Sequence, residues 1–261
     1  MGNVLQMNNS TASCIYQTEH QQRFEYTVKH LAGILASGSV VADIGCHRLD
    51  QGVMLAKAGF KVIGFDVLPF LEKRTTITRA RQYGIQLAEI KCLERGEFSP
   101  AFPNGFFDCV VMTEVIEHLA FNPLEMWKAI FSMVKPNGHI IITTPNSLAL
   151  KSLARALWRL LLLRGHGISV REIMENVTYG HHWKEYSARE IREYFAYLGV
   201  TPSAIMTTHL DFVSNRSDSR LRHRLAKLIY HLVPNLRPSL MSVIQVSSDR
   251  LITRNTPQYA E

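Results

Sequence analysis

The chain has 261 residues, of which 46% are hydrophobic and 20% charged, with a formal charge of +7. That makeup suits one globular domain with modest elaborations, and it excludes a disordered or fibrous protein. Four cysteines (Cys14, Cys46, Cys92 and Cys109) lack C-x-x-C spacing, no segment has a signal-peptide layout, and no apolar run is long enough for a membrane span. A reduced, cytoplasmic compartment is expected.

In chain order, residues 1–18 are polar and unpatterned and read as a disordered tail. A lead helix is expected over Gln21 to Ala36, with Phe24, Val28, Leu31 and Leu35 on one face, packed against the sheet edge. Strand and helix patterns then alternate over 39–45, 51–58, 61–66, 69–83, 86–92, 107–114, 122–134 and 138–144. Five parallel strands with intervening helices make a doubly wound, Rossmann-like α/β sheet. Its first unit runs from Gly45 to Asp66, with a glycine at a strand end, a helix, a second strand and a strand-end carboxylate.

Ser147 to Arg164 has helix period, and 147–180 reads as a lid insertion. The capping box Ser187-Ala188-Arg189-Glu190 opens another helix that ends near Gly199. Two late strands, Ser203 to Leu210 and Leu240 to Ser247, would form an antiparallel edge hairpin, for about seven strands in all. Between them lies a basic insertion, 211–239, whose helix Ser219 to Val233 places Leu221, Leu225, Leu228, Ile229 and Leu232 on one face. The domain spans 19–250 and a flexible tail 251–261. Much of the excess positive charge falls outside the nucleotide-binding core, on Lys151, Arg155, Arg159 and Arg164 and on Arg216 to Arg237.

Gly45 stands in G-x-H-x-L, not in the G-x-G-x-x-G of dinucleotide sites, and there is no P-loop. Together with Phe107-Asp108-Cys109-Val110-Val111-Met112-Thr113-Glu114-Val115-Ile116-Glu117-His118-Leu119 and Lys135-Pro136-Asn137-Gly138 through Thr144-Pro145-Asn146, the first unit resembles the class I S-adenosylmethionine-dependent methyltransferases over about residues 20 to 210. The resemblance implies S-adenosyl-L-methionine as cofactor, with Asp66 on the ribose hydroxyls, Asp43 orienting the loop or the methionine ammonium, and Gly45 allowing close approach. Cys46, His47 and Thr113 would line the same site, and Val67 and Leu68 would sandwich adenine. An Asp after the third strand, which often contacts adenine N6 in the family, is not evident, so Cys92, Leu93 or Glu94 would serve. The family loop usually reads G-x-G-x-G, and the 21-residue step from Gly45 to Asp66 fits without a gap, so His47 and Leu49 stand where glycines are usual. A side chain there either intrudes on the methionine half of the cofactor or reshapes the loop.

Glu114, Glu117 and His118 share a face if the segment is helical, so two carboxylates and an imidazole would converge beside the cofactor. His118, with Glu114 and His182 as the other expected catalytic residues, can act as general base on a hydroxyl, or Glu114, Glu117, His118 and His182 can bind a divalent metal; the metal is the alternative, not the expectation. A third use is structural, lining the pocket. His182 and Tyr186 are four residues apart, as in the family's lid element, whereas His181 reads as part of a surface loop anchored by Trp183 and Tyr186.

The expected reaction is O-methylation of a small-molecule or saccharide acceptor, which could be a lipid-linked glycan. The basic amphipathic helices suit either peripheral contact with the inner face of an anionic membrane or a homodimer. Two alternatives are a metal-dependent 2′-O-methyltransferase of RNA 3′-terminal riboses, less favoured because no aromatic-basic platform for nucleic acid stands out, and a methyltransferase-like protein without activity.

Overall fold

A computed structural model describes residues 20–163, 167–175, 177, 180–211, 220–247 and 252. The tails read at 1–18 and 251–261 lie outside these residues, apart from Ile252. The described residues begin with helix α1 (20–34) and continue with β1 (Val40–Ile44), α2 (Asp50–Lys57), β2 (Lys61–Asp66), α3 (Leu68–Leu71) and α4 (Arg74–Tyr83). Next come β3 (Gln86–Cys92), β4 (Glu97–Ser99), β5 (Phe107–Thr113), a 3-10 turn (Ile116–His118), α5 (Leu124–Met133) and β6 (Val134–Pro145). The last part holds α6 (Leu150–Leu161), α7 (Val170–Glu175), α8 (Ala188–Tyr197), β7 (Ile205–Leu210), α9 (Arg220–Leu232) and β8 (Ser239–Gln245).

These strands form one sheet in the order β4-β3-β2-β1-β5-β6-β8-β7. Strands β3, β2, β1, β5 and β6 are mutually parallel, as the alternation with helices requires. β8 runs antiparallel between β6 and β7, so the two late strands pair as expected with β7 at the edge. The eighth strand is β4, a three-residue antiparallel addition to β3 too short to stand out in the sequence. The helix read over 69–83 is two helices, because Lys73 is extended (φ −62°, ψ 128°) and breaks the run.

Alternation along the central strands splits the core. Ala42, Ile44, Phe65, Val110, Met112, Ile140 and Ile142 face one side, where Trp127 and Ile130 of α5 and Ile191 and Phe195 of α8 cover them. Val41, Val62, Cys109, Val111 and Ile141 face the other, with Leu31 of α1, Val53 and Leu55 of α2 and Ala80 of α4. The lead helix therefore packs on a face of the sheet, not on its edge. Its buried residues are Phe24 and Leu31 of the expected face together with Arg23 and Thr27, and Arg23, Thr27 and Leu31 follow a four-residue spacing that places a guanidinium as well as an apolar face inward.

The loop from β1 to α2 is held in a left-handed backbone, with φ +78° at Gly45, 47° at His47 and 63° at Leu49. His47 and Leu49 thus keep the conformation that glycine favours, at about 1–2 kcal/mol each. Leu49 offsets its strain by burial: its side chain is fully enclosed in the α2 side of the core, which contributes roughly 1.5–3 kcal/mol. Glycines elsewhere make the room. A Cβ on Gly64 of β2 would stand 2.8 Å from Leu49 Cδ2 and 3.0 Å from Cys46 Sγ. The Leu49 side chain therefore lies in the core and is not among the residues that line the cavity at the end of β1. Gly64→Ala is accordingly expected to lower unfolding stability by about 1–3 kcal/mol, read as a shifted urea midpoint, and to be non-additive with Leu49→Ala. Unchanged stability would mean that Leu49 does not fill this space.

Candidate active site

The carboxyl ends of β1, β2, β5 and β6 converge, and the site divides there into a cofactor side and an acceptor side. On the cofactor side, Asp43, Gly45, Cys46, His47 and Thr113 surround a small cavity of about 30 Å3, together with Arg23, Phe24, Asp50 and Gln51. The last four were not singled out from the sequence as site residues; Phe24 was read only as part of the apolar face of the lead helix. The four-residue spacing of Arg23 with Thr27 and Leu31 was the available signal for the first.

A side chain at Gly45 would be strained on local grounds: besides its positive φ, a Cβ would stand 2.7 Å from Val115 Cγ2, which would have to shift. Asp66 accepts backbone N–H bonds from His47 (2.7 Å) and Val67 (2.8 Å), one on each carboxylate oxygen. These bonds tie the end of β2 to the loop and leave further lone pairs outward. Burial raises the Asp66 pKa, and the two backbone bonds oppose the rise. Val67 and Leu68, just beyond, are exposed apolar surface, whereas Leu93 at the end of β3 packs partly against the core.

Asp43 is buried, and its Oδ2 has no hydrogen-bond partner among the described residues; the same holds for both amide atoms of Gln51. Burial, and then the charge of Asp66, pushes Asp43 up to about 7. An orphaned carboxylate oxygen and an orphaned amide beside the small cavity fit the ammonium and carboxylate of a bound amino-acid group. His47 is neutral, because burial and then Arg48 lower it to about 4, and its ring stands edge-on to Phe70 at 4.7 Å.

On the acceptor side, the expected convergence of Glu114, Glu117 and His118 is only partly present. Glu114 is left-handed (φ 54°) and is followed by a single 3-10 turn, so helical i, i+3, i+4 geometry does not apply. Its carboxylate turns away to Arg23 Nη1 (3.1 Å) and the Thr143 hydroxyl (3.2 Å). Glu117 and His118 instead meet His182, with one ligand atom from each lying within 4.8 Å of the others.

Glu117 is fully buried, and its Oε2 accepts from the Thr144 hydroxyl at 3.1 Å. Burial, and then the Glu114 charge, lifts its carboxyl well above the usual range. The Glu117 carbonyl accepts the N–H groups of Trp183 (2.7 Å) and Lys184 (3.3 Å), pinning the 181–184 loop over the site. His118 Nδ1 donates to the His181 carbonyl at 2.9 Å, which leaves Nε2 as the lone-pair nitrogen, 4.0 Å from Glu117 Oε1. Burial, and then His182, lowers the His118 pKa, so the free ring is neutral and basic at Nε2. The His118 and His182 rings stand edge-on at 4.8 Å, and His182 Nδ1 lies 3.6 Å from Glu185.

The reading of His181 and Trp183 is corrected. His181 is buried and positions His118 through its carbonyl, whereas Trp183 is exposed; Tyr186 alone of the two expected anchors is buried, in the core against Tyr194, while its backbone pairs with Asn146 and Ser147. The capping box at Ser187 is present, with Glu190 N–H donating to Ser187 Oγ and the Glu190 carboxylate accepting from Ser187 N–H. His182 opens onto a cavity of about 1090 Å3 walled by the insertion, including Ser152, Arg155, Arg159 and Glu185.

A parallel sheet with a strand-end carboxylate, a left-handed glycine loop and a His-bearing turn after the fourth parallel strand defines a class I S-adenosylmethionine-dependent methyltransferase. A family model described as a methyltransferase domain matches residues 16–205, and the chain belongs to that family. It is 30% identical over 129 residues to ubiquinone biosynthesis O-methyltransferase of Photobacterium profundum, which covers 48% of this chain and 50% of that protein. The chain spans about half the length of the curated relatives it matches. A S-adenosylmethionine-dependent methyltransferase from Archaeoglobus fulgidus shares the fold with a TM-score of 0.52 at 17% identity, over 88% of this chain and 98% of that one. Small RNA methyltransferase HEN1 shares it with a TM-score of 0.55 at 18% identity, over 87% of this chain and 25% of that one.

Two outcomes test the cofactor side by calorimetry with S-adenosylhomocysteine. Asp66→Ala should weaken binding by about 1.5–3 kcal/mol, roughly 10- to 150-fold. Binding to the unsubstituted protein should weaken as pH falls from above to below about 7, since only the Asp43 carboxylate pairs with an ammonium. Asp43→Asn should bind weakly at every pH; the same pH slope in that variant would remove Asp43 from the site.

Proposed function

We propose that this methyltransferase acts on a hydroxyl of a small molecule, either a phenol or a sugar hydroxyl. The observation that carries the reading is the hydrogen bond from His118 Nδ1–H to the His181 carbonyl, which leaves the lone pair on Nε2, beside the His182 ring, free to act as a base. The hydroxyl oxygen forms a bond to the methyl carbon as the carbon–sulfur bond breaks, the sulfonium becomes a neutral thioether, and the hydroxyl proton passes to Nε2. The sulfonium is already an activated donor, so the residues mainly align the oxygen, methyl and sulfur. The O-methyltransferase names of the relatives support the choice of oxygen, although the match spans about half their length.

A second reading has a specific observation behind it. Buried Glu117, with Oε1 lacking a hydrogen-bond partner among the described residues, sits with His118 and His182 in a donor set that fits a divalent cation. Bound there, the cation would lower the pKa of an acceptor hydroxyl, as an RNA ribose 2′-hydroxyl would require. Glu114, the fourth member expected of that set, is held by Arg23 and Thr143.

With labelled S-adenosylmethionine and a panel of catechols, phenols and sugars, label should enter an ether. His118→Ala should lower kcat about 10²- to 10⁴-fold with unchanged S-adenosylhomocysteine affinity. Activity that survives this substitution sinks the base assignment. A chelator should leave transfer unaffected; loss of activity on chelation, restored by a divalent metal and directed to RNA 3′ ends, would replace the first reading by the second.

A further inference from the structure

Helix α6 is inverted relative to an ordinary surface helix. Its face at Ser152, Arg155, Ala156 and Arg159 lines the large cavity, and none of its residues is buried. The opposite face carries Leu153, Leu157, Trp158, Leu160 and Leu161 into solvent, with Leu157 and Trp158 63% and Leu161 76% exposed. Ile173 and Met174 of α7 add further exposed apolar surface. A protein that stays free in water rarely leaves so much contiguous apolar surface uncovered.

A second helix has the same character. On α9, Leu225, Leu228 and Leu232 are exposed while Tyr230 is buried, and Arg224 and Lys227 flank the leucines. Asn146 links the two: its side-chain amide donates to the carbonyls of Asn235 and Arg237, just after α9, and α6 begins four residues beyond it. Neither helix contains an Asp or a Glu. Together they hold seven Lys and Arg residues, a number equal to the formal charge of the whole chain, +7. The remainder of the chain is therefore neutral on balance; Arg224 and Lys227 lie beside the exposed leucines of α9, whereas Arg155 and Arg159 of α6 line the cavity on the other side of their helix.

We propose that α6 and α9 dock the protein on an anionic lipid bilayer, with Leu157, Trp158 and Leu161 of α6 and Leu225, Leu228 and Leu232 of α9 entering the interface. The leucines of α9 with Arg224 and Lys227 beside them, the apolar outer face of α6 and the lack of an acidic residue in either helix make the pattern that an anionic membrane surface selects. A second copy of this chain would bring like charges together, which is why the bilayer is the occupant chosen. The docking face and the wall of the acceptor cavity are two sides of one helix. Docking thus places the cavity roughly 10–12 Å, one helix diameter, from the lipid. Taken with the hydroxyl acceptor proposed above, on which this one consequence rests, the arrangement suits an amphiphilic acceptor that keeps its apolar part in the bilayer.

The test is flotation of the full chain with vesicles of phosphatidylcholine alone and of phosphatidylcholine mixed with phosphatidylglycerol. The protein should float with the anionic vesicles and not with the neutral ones, and high salt should reduce the bound fraction. The combined substitution Leu157→Asp, Leu161→Asp and Leu228→Asp should lower partitioning at least tenfold, while S-adenosylhomocysteine affinity measured in parallel stays unchanged. Equal flotation of the variant would show binding by charge alone and overturn the docking face. Absence of flotation would overturn the proposal. A concentration-dependent dimer in light scattering, abolished by the same substitutions, would assign the face to a second copy. None of these readouts needs methyl transfer, so failure here is distinguishable from failure of the O-methylation reading.

Discussion

The buried carboxyl of Glu117 is the constraint on which the acceptor side depends. A carboxyl with no exposure must either lose its charge or find compensation, and here burial raises its pKa while the Thr144 hydroxyl satisfies one oxygen. The same residue's carbonyl receives two N–H groups from the 183–184 loop. One position thereby joins the end of β5, the end of β6 and the His-bearing loop. His118 inherits its orientation from this junction, because the loop so pinned presents the His181 carbonyl to Nδ1.

The cofactor side rests on a different device, a left-handed loop that does not use glycine at every left-handed position. His47 and Leu49 accept the strain, and the cost is met locally by the burial of Leu49 against Gly64 and Gly52 and by the packing of His47 on Phe70. Asp66 then fastens the loop through the His47 N–H, so the carboxylate at the end of β2 stabilises the turn beside it.

Arg23 connects the two sides. It is buried in α1, lines the cofactor cavity and pairs with Glu114, drawing that carboxylate away from Glu117 and His118. The lead helix is thus part of the site, and its packing on a sheet face brings it there. By contrast, the insertion contributes walls and not core: α6 turns its polar face to the cavity and leaves its apolar face uncovered, an arrangement that hydrophobic periodicity cannot distinguish from the usual one.

Period and punctuation in the sequence determined the alternating elements, the parallel sheet, the capping box at Ser187 and the placing of Gly45 and Asp66 at strand ends, because these follow from local propensity and from the geometry of βαβ connection. The motif blocks also determined the methyltransferase class. Only the tertiary structure decided which carboxylates meet, since the left-handed Glu114 replaces a helix by a turn and no spacing rule anticipates Arg23 from another helix. It likewise decided that His181 is buried and His182 open, that Leu49 lies in the core, and that the three-residue β4 pairs with β3. Those outcomes depend on contacts between residues distant in the chain, whose energies decide direction and burial and leave no periodic trace in the sequence.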